Sequence, residues 1–66
     1  MFTYREILSF LRLHGPLPLM ARDRSGIRPA VHIREDSFLM TKIQLEQLKD
    51  GPERNWVFSI KVEPSV

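Results

Sequence analysis

The sequence contains no cysteine, only three glycines among 66 residues, and no long apolar run. Without cysteine, neither a disulfide framework nor a thiolate metal site can form. No stretch approaches the roughly 20 apolar residues that a membrane-spanning helix needs. The N-terminus also lacks the basic leader and apolar core of a secretory signal. We therefore expect a cytoplasmic protein with no membrane partner.

The motifs of common catalytic sites are missing as well. No serine stands in a Gly-x-Ser-x-Gly turn, no His-x-x-x-His pair occurs, and three glycines make no phosphate-binding loop. The two histidines, His14 and His32, fall in different predicted elements, and His14 ends a predicted helix, where an imidazolium complements the helix dipole. We expect no enzyme activity, no catalytic residue, no cofactor and no metal.

The length predicts a single domain over residues 1–66. A chain this short buries only about 60% of the surface that its unfolded form exposes. Small proteins of this kind often gain stability by dimerising or by binding a partner. A homodimer is therefore a candidate state.

The formal net charge of +2 is unevenly distributed along the chain. Residues 1–34 contain six arginines and two acidic residues, whereas residues 35–66 contain six acidic and four basic residues. Four arginines fall within a short segment: Arg22, Arg24, Arg28 and Arg34. Such a basic segment is a candidate phosphate-binding surface, although a solvated loop explains it equally well.

Residues 2–16 predict a helix with clear start and stop signals. Thr3 and Glu6 have the spacing of a capping box, in which each side chain bonds the backbone N–H of the other residue. Gly15 supplies a left-handed stop, and Pro16 prevents continuation. One face of this helix carries apolar residues at helical spacing: Tyr4, Ile7, Leu8 and Leu11.

Residues 15–40 are harder to assign. After two prolines that keep the chain extended, residues 19–22 fit a short helix or a strand, and residues 24–26 predict a turn. From residue 27 to residue 34, apolar and polar positions alternate as in a strand. Yet Pro29 is more natural in the first turn of a helix than in a central strand. Both interpretations stay open for residues 27–40.

The C-terminal third predicts a β-hairpin. Residues 42–46 alternate as in a half-buried strand, residues 56–63 do so over a longer run, and an Asp-Gly pair lies between them. In the competing interpretation, Thr41 is the N-cap of a helix that runs up to Gly51, with Gln44 completing the box. We favour the hairpin because the apolar residues scatter around a helical wheel: Phe38, Leu39, Ile43, Leu45 and Leu48.

Residues 5–17 run through Glu-Ile-Leu-x-Phe-Leu, residues 26–31 combine glycine with proline, and residues 56–58 follow the Asp-Gly loop. They resemble, in turn, the opening helix, the turn into the recognition helix and the wing of small winged helix-turn-helix regulators, such as the short fimbrial-type regulators. The chain departs from that pattern in a short second helix and in Glu35, which occupies a position that should be apolar.

This resemblance implies an α+β, winged helix-turn-helix-like domain with an N-terminal helix and a C-terminal β-hairpin. It implies a small transcriptional regulator that binds duplex DNA. Residues 27–38 would read the major groove, and the C-terminal wing would contact the DNA backbone.

The resemblance also implies which residues contact DNA. Arg28 and His32 would reach base edges, and Ser25 would lie near a phosphate. Other cations of the basic segment would neutralise phosphates and make the affinity depend on salt: Arg22, Arg24 and Arg34. Lys49 and Arg54, in the predicted hairpin loop, would lie along the backbone or in the minor groove.

A second resemblance supports a competing function. Residues 24–33 contain Arg-x-Gly-x-x-Pro-Ala-Val and resemble a segment of antitoxins that carry a hairpin after their first helix. Such antitoxins repress their own operon as dimers and wrap a toxin with a C-terminal tail. The alternative function is a protein-binding module, either an antitoxin or a phage-borne inhibitor of a host protein. It would bind its partner through the hairpin edge with Trp56 and Phe58.

Overall fold

The computed structural model of the chain describes residues 1–49 and 55–61. Within these ranges the protein is α+β, with two helices and an antiparallel three-stranded sheet of order β2-β1-β3. In chain order the elements are α1 (Tyr4–His14), β1 (Leu19–Asp23), β2 (Val31–Ile33), α2 (Phe38–Lys49) and β3 (Trp56–Ile60). A winged helix is not confirmed by this arrangement.

The predicted N-terminal helix is confirmed, together with both of its end signals. The Glu6 amide donates to Thr3 Oγ1 at 3.3 Å, and the Thr3 amide donates to a Glu6 carboxylate oxygen at 2.9 Å. At the other end, Gly15 has φ of +85°, and its amide donates to the carbonyl of Leu11 at 2.7 Å. Local residues alone therefore define where α1 begins and ends.

The central strand β1 pairs with both other strands and buries every second residue, namely Leu19, Ala21 and Asp23. The strand interpretation of residues 19–22 is thus the correct one. The predicted turn at residues 24–26 is also confirmed, since the Gly26 amide donates to the Asp23 carbonyl at 3.0 Å. The strand predicted over residues 56–63 is confirmed for Trp56–Ile60, which form β3, whereas Lys61 lies just beyond the strand.

The recognition helix expected within residues 27–38 is wrong. Residues 27–30 form an irregular loop, and residues 31–33 form β2, whose Val31 and Ile33 lie opposite Ala21 and Leu19. Pro29 precedes the strand and therefore removes no hydrogen bond from its ladder. Pairing with β1 allows Ile33 to enter the core, which decides between the two interpretations.

The hairpin strand expected at residues 42–46 is also wrong, because those residues lie in α2. The competing helix was correct in type but not in its cap. Ser37 Oγ accepts from the Met40 amide at 3.1 Å, as an N-cap does, whereas Thr41 is buried inside the helix. The Thr41 hydroxyl donates to the Ser37 carbonyl at 2.9 Å, which satisfies a buried polar group.

Both helices pack on one face of the sheet. All five elements contribute buried residues to the core: Ile7, Leu11, Leu19, Ala21, Ile33, Leu45, Trp56 and Phe58. A hydrogen bond from the Tyr4 hydroxyl to the Glu46 carboxylate joins the two helices. The opposite face of the sheet has neither helix against it.

Candidate nucleic-acid interface

Strand alternation defines the face of the sheet that turns away from the helices. In β1 the residues between the buried ones are Met20 and Arg22. Across the sheet, Met20 lies opposite His32 and Ser59, and Arg22 lies opposite Val57. Because cross-strand partners share a face, these five residues form one surface, which we call the open face.

Basic side chains dominate the exposed part of the open face. Arg22 and His32 are exposed on the strands themselves. Arg24 and Lys61 extend the ladder past the strand ends, since the Arg24 amide donates to the Asn55 carbonyl at 3.0 Å and the Lys61 amide to the Pro18 carbonyl at 2.8 Å. Both side chains are exposed.

Arg34 continues the same alternation one residue beyond β2 and is likewise exposed. We call the five residues together the basic set: Arg22, Arg24, His32, Arg34 and Lys61. Among the strand residues that the pairing registers place on this face, none carries a carboxylate. The rest of the open face is Met20, Val57 and Ser59, so its only ring is the imidazole of His32 and it offers little surface for stacking on bases.

The loop between β1 and β2 closes around a buried carboxylate. The Asp23 side chain accepts four hydrogen bonds, from the Ser25 amide at 3.0 Å, the Ser25 hydroxyl at 2.8 Å, the Arg28 amide at 3.2 Å and Arg28 Nε at 3.0 Å. These bonds hold the pKa of Asp23 far below its usual range. The bonds from the Ser25 and Arg28 side chains have the largest effect, and burial of the carboxylate opposes them.

Arg28 belongs to this loop rather than to a groove-reading helix. Its guanidinium carbon lies 4.8 Å from the centroid of the Trp56 ring, a cation–π distance. Its Nε bonds Asp23, whose side chain is 1% exposed. Arg28 and Ser25 thus stabilise the loop. They lie in no helix, so they cannot reach DNA from a recognition helix as predicted.

The predicted protein-contacting aromatics lie in the core. Phe58 is 1% exposed and Trp56 is 9% exposed. Little of either ring is therefore exposed, and the hairpin that was expected to present them is not formed, because residues 42–46 lie in α2. The predicted contacts of the hairpin loop are a different case, because the side chain of Lys49 and all of Arg54 lie outside the described residues.

The sequence analysis did not identify two residues that are important to this site, Lys61 and Asp23. Lys61 alternates with Trp56, Phe58 and Ile60 in the printed order, so its place on the open face follows from the β3 pattern. Asp23 precedes Ser25 by two residues, the spacing at which an aspartate accepts from a backbone amide in an Asx turn. That signal could have assigned Asp23 and Ser25 to the loop.

The described residues provide no group of three or more histidine, aspartate or glutamate side chains arranged to hold a metal ion. Neither α1 nor α2, the helices of the described ranges, is long and apolar enough to cross a bilayer. Comparison with protein-family models, with curated proteins and with solved structures finds no match to the chain.

Proposed function

We propose that this chain binds the phosphate backbone of duplex DNA with its open face. The observation that carries the proposal is the presence of Arg22, Arg24, His32 and Lys61 on one sheet face, where the strand residues placed by the pairing registers include no carboxylate. The charged residue on the helix side of β1, Asp23, is fully engaged within its own loop. The charges on the two faces are therefore segregated.

The chemistry of phosphate binding fits these side chains. Duplex DNA carries one negative charge per about 1.7 Å of its axis, and cations that neutralise phosphates release condensed counterions. Arg22 and Arg24 are two residues apart, a separation of about 6.6 Å along an extended strand. A guanidinium can bond two oxygens of one phosphate, which favours arginine in such contacts.

This mode of binding gives little sequence specificity. The major groove admits a helix or a two-stranded ribbon that presents side chains to base edges. Residues 27–38 contain no helix until Phe38, and β2 is bound to β1. The proposed contacts are accordingly to phosphates, and major-groove reading by residues 27–38 is not part of the proposal.

A salt titration with a short fluorescent duplex tests the proposal. If Arg22, Arg24 and Lys61 each neutralise one phosphate, the logarithm of the binding constant falls against the logarithm of salt with a slope of about −2.7. The Arg22→Ala variant should reduce the steepness of that slope by about 0.9 and weaken binding at low salt. The measurement is fluorescence anisotropy over a range of sodium chloride concentrations.

Arg5→Ala is the matched control, because Arg5 is an exposed arginine of α1, on the other side of the molecule. It removes the same charge and should leave the slope nearly unchanged. No binding at low salt, or equal losses for the two variants, would reject the open face as the DNA-binding surface.

A protein-binding module is the second candidate, and a different surface favours it. Large apolar side chains of α2 are exposed, Leu39 by 63% and Ile43 by 42%, and these residues lie one turn apart. Exposed apolar groups in a cluster often mark protein contacts. A partner bound there would be released by Leu39→Ser and retained by Arg22→Ala, the opposite of the result expected for DNA.

A further inference from the structure

The two outer edges of the sheet are not equivalent. On the β3 edge, the Phe2 amide donates to the Phe58 carbonyl at 2.6 Å, and the Phe58 amide donates to the Phe2 carbonyl at 2.8 Å. Residue 2 thus occupies the outward-facing backbone groups at the middle of β3. The β2 edge has no such cover from the described residues.

The hydrogen-bond pattern identifies which backbone groups point outward from β2. The bonds Arg24 to Asn55 and Lys61 to Pro18 show that even-numbered residues of β1 point towards β3. Odd-numbered residues therefore point towards β2, where Leu19 and Ala21 meet Ile33 and Val31. His32 lies between Ile33 and Val31, so its N–H and C=O face away from the sheet.

We propose that the β2 edge binds the β2 edge of a second copy of this chain. The two strands would pair antiparallel about a two-fold axis at His32, and each His32 would donate its amide to the other's carbonyl. The result is one continuous sheet of six strands, with the helices of both copies on one side and both open faces on the other. This proposal does not depend on DNA binding.

The side chains around His32 are complementary to themselves in that register. On the helix side, Val31 of each copy meets Ile33 of the other, so apolar residues pair. On the open side, Arg34 lies opposite Ala30 instead of another cation. The register therefore pairs apolar residues on one side and places no two arginines opposite each other on the other side.

Met40, an exposed apolar residue of α2, lies on the side of that helix nearest the β2 edge. The Gln44 amide donates to the Glu35 carboxylate, just beyond the end of β2, so this side of α2 faces the β2 edge. Met40 is one turn before Gln44 and is 47% exposed. A second copy added at β2 brings the two α2 helices alongside each other and covers both Met40 side chains.

The shortness of β2 limits the extent of the pairing. The strand has only three residues, which restricts the length of an edge contact. The interface is small, so we expect a dissociation constant weaker than about 1 μM, the weak end of the range for interfaces of standard size.

Disulfide trapping tests the register directly, because the chain has no cysteine of its own. In a hydrogen-bonded antiparallel pair the two Cα atoms lie about 5.5 Å apart, within the range that a disulfide spans. Under a mild oxidant, a His32→Cys variant should form covalent dimers at least about tenfold faster than collisions allow, because pairing raises the effective thiol concentration.

Arg22→Cys is the matched control. Arg22 is exposed on the same face, but the two β1 strands of the dimer would be about 14 Å apart, too far for a disulfide. Sedimentation velocity on the unmodified chain gives a second measurement that needs no variant. It should show a monomer–dimer equilibrium at concentrations above about 1 μM.

The proposal is overturned if the unmodified chain stays monomeric up to about 1 mM, the limit of weak association. It is also overturned if His32→Cys is trapped no faster than Arg22→Cys. A dimer that sediments normally but shows no such preference would be formed by another surface. Loss of DNA binding would leave each of these results unchanged, so the two proposals fail separately.

Discussion

The two faces of the sheet use charge in different ways. On the face covered by helices, the charged side chain is Asp23, and its carboxylate accepts four hydrogen bonds from Ser25 and Arg28. On the open face, Arg22, His32 and Lys61 are exposed to solvent, and none of the described strand residues paired on that face carries a carboxylate. Buried charge here organises a loop, whereas the charged side chains of the open face remain exposed to solvent.

Arg22 and Arg28 show the difference within one hairpin. Arg22 is on the open side of β1, and Arg28 returns to the covered side, where it stacks on Trp56 and bonds Asp23. The two residues have the same side chain and lie six positions apart. Their environments predict opposite effects on stability and on binding.

The largest effect on stability should come from Arg28→Ala. Removal of hydrogen bonds to a charged partner costs about 2 kcal/mol, and loss of the contact with Trp56 adds to it. Arg22→Ala should change the free energy of unfolding by less than about 0.5 kcal/mol, as exposed substitutions usually do. Urea denaturation followed by circular dichroism compares the two, and equal losses would remove the distinction between the faces.

A smaller effect should appear in the dependence of stability on pH. The lowered pKa of Asp23 means that, in acid, the unfolded chain binds a proton that the folded protein does not. This contribution is therefore complete above the ordinary aspartate pKa of about 3.9 and is lost as the pH falls below it. Glu6, whose pKa is lowered by its bonds with Thr3, acts in the same direction.

Asp23→Asn tests that assignment. The variant should be less stable near neutral pH, and its stability should fall less steeply between about pH 4 and pH 2 than that of the unmodified chain. The free energy of unfolding, measured by urea titration at each pH, gives both profiles. Parallel profiles would mean that another group controls acid unfolding.

The first helix could be predicted because all of its signals are local. Thr3, Glu6 and Gly15 lie within or next to α1, and their bonds to the helix backbone do not depend on the rest of the chain. The strand β2 has no such independence. Its three residues form a strand because they pair with β1. The local sequence, in which an alternating pattern is interrupted by Pro29, could not decide between a strand and a helix.

The second helix was missed because exposed apolar residues blur its buried stripe. Phe38, Leu45 and Leu48 pack on the core, whereas Leu39 and Ile43 are exposed. One buried position of the stripe is Thr41, a polar residue whose hydroxyl is satisfied by the Ser37 carbonyl. Hydrophobicity alone therefore pointed away from a helix.

Part of the candidate site could be predicted even though the helix expected to carry it was not. Arg22 and Arg24 are two residues apart, as are His32 and Arg34, and this spacing places each pair on one face of a strand. The strand interpretation of residues 27–40 already placed His32 and Arg34 on the same face. The role of Arg28 could not be found in this way, because it depends on how the loop closes over Asp23.

An NMR titration with a short DNA duplex tests the central claim, that the open face is the binding surface. At constant protein concentration and low salt, the account predicts backbone amide shifts confined to residues 20–24, 30–34 and 57–61. These shifts should disappear as salt is added, because the contacts are to phosphates. Shifts centred on α1 or on the outer side of α2, or no shifts at all, would contradict it.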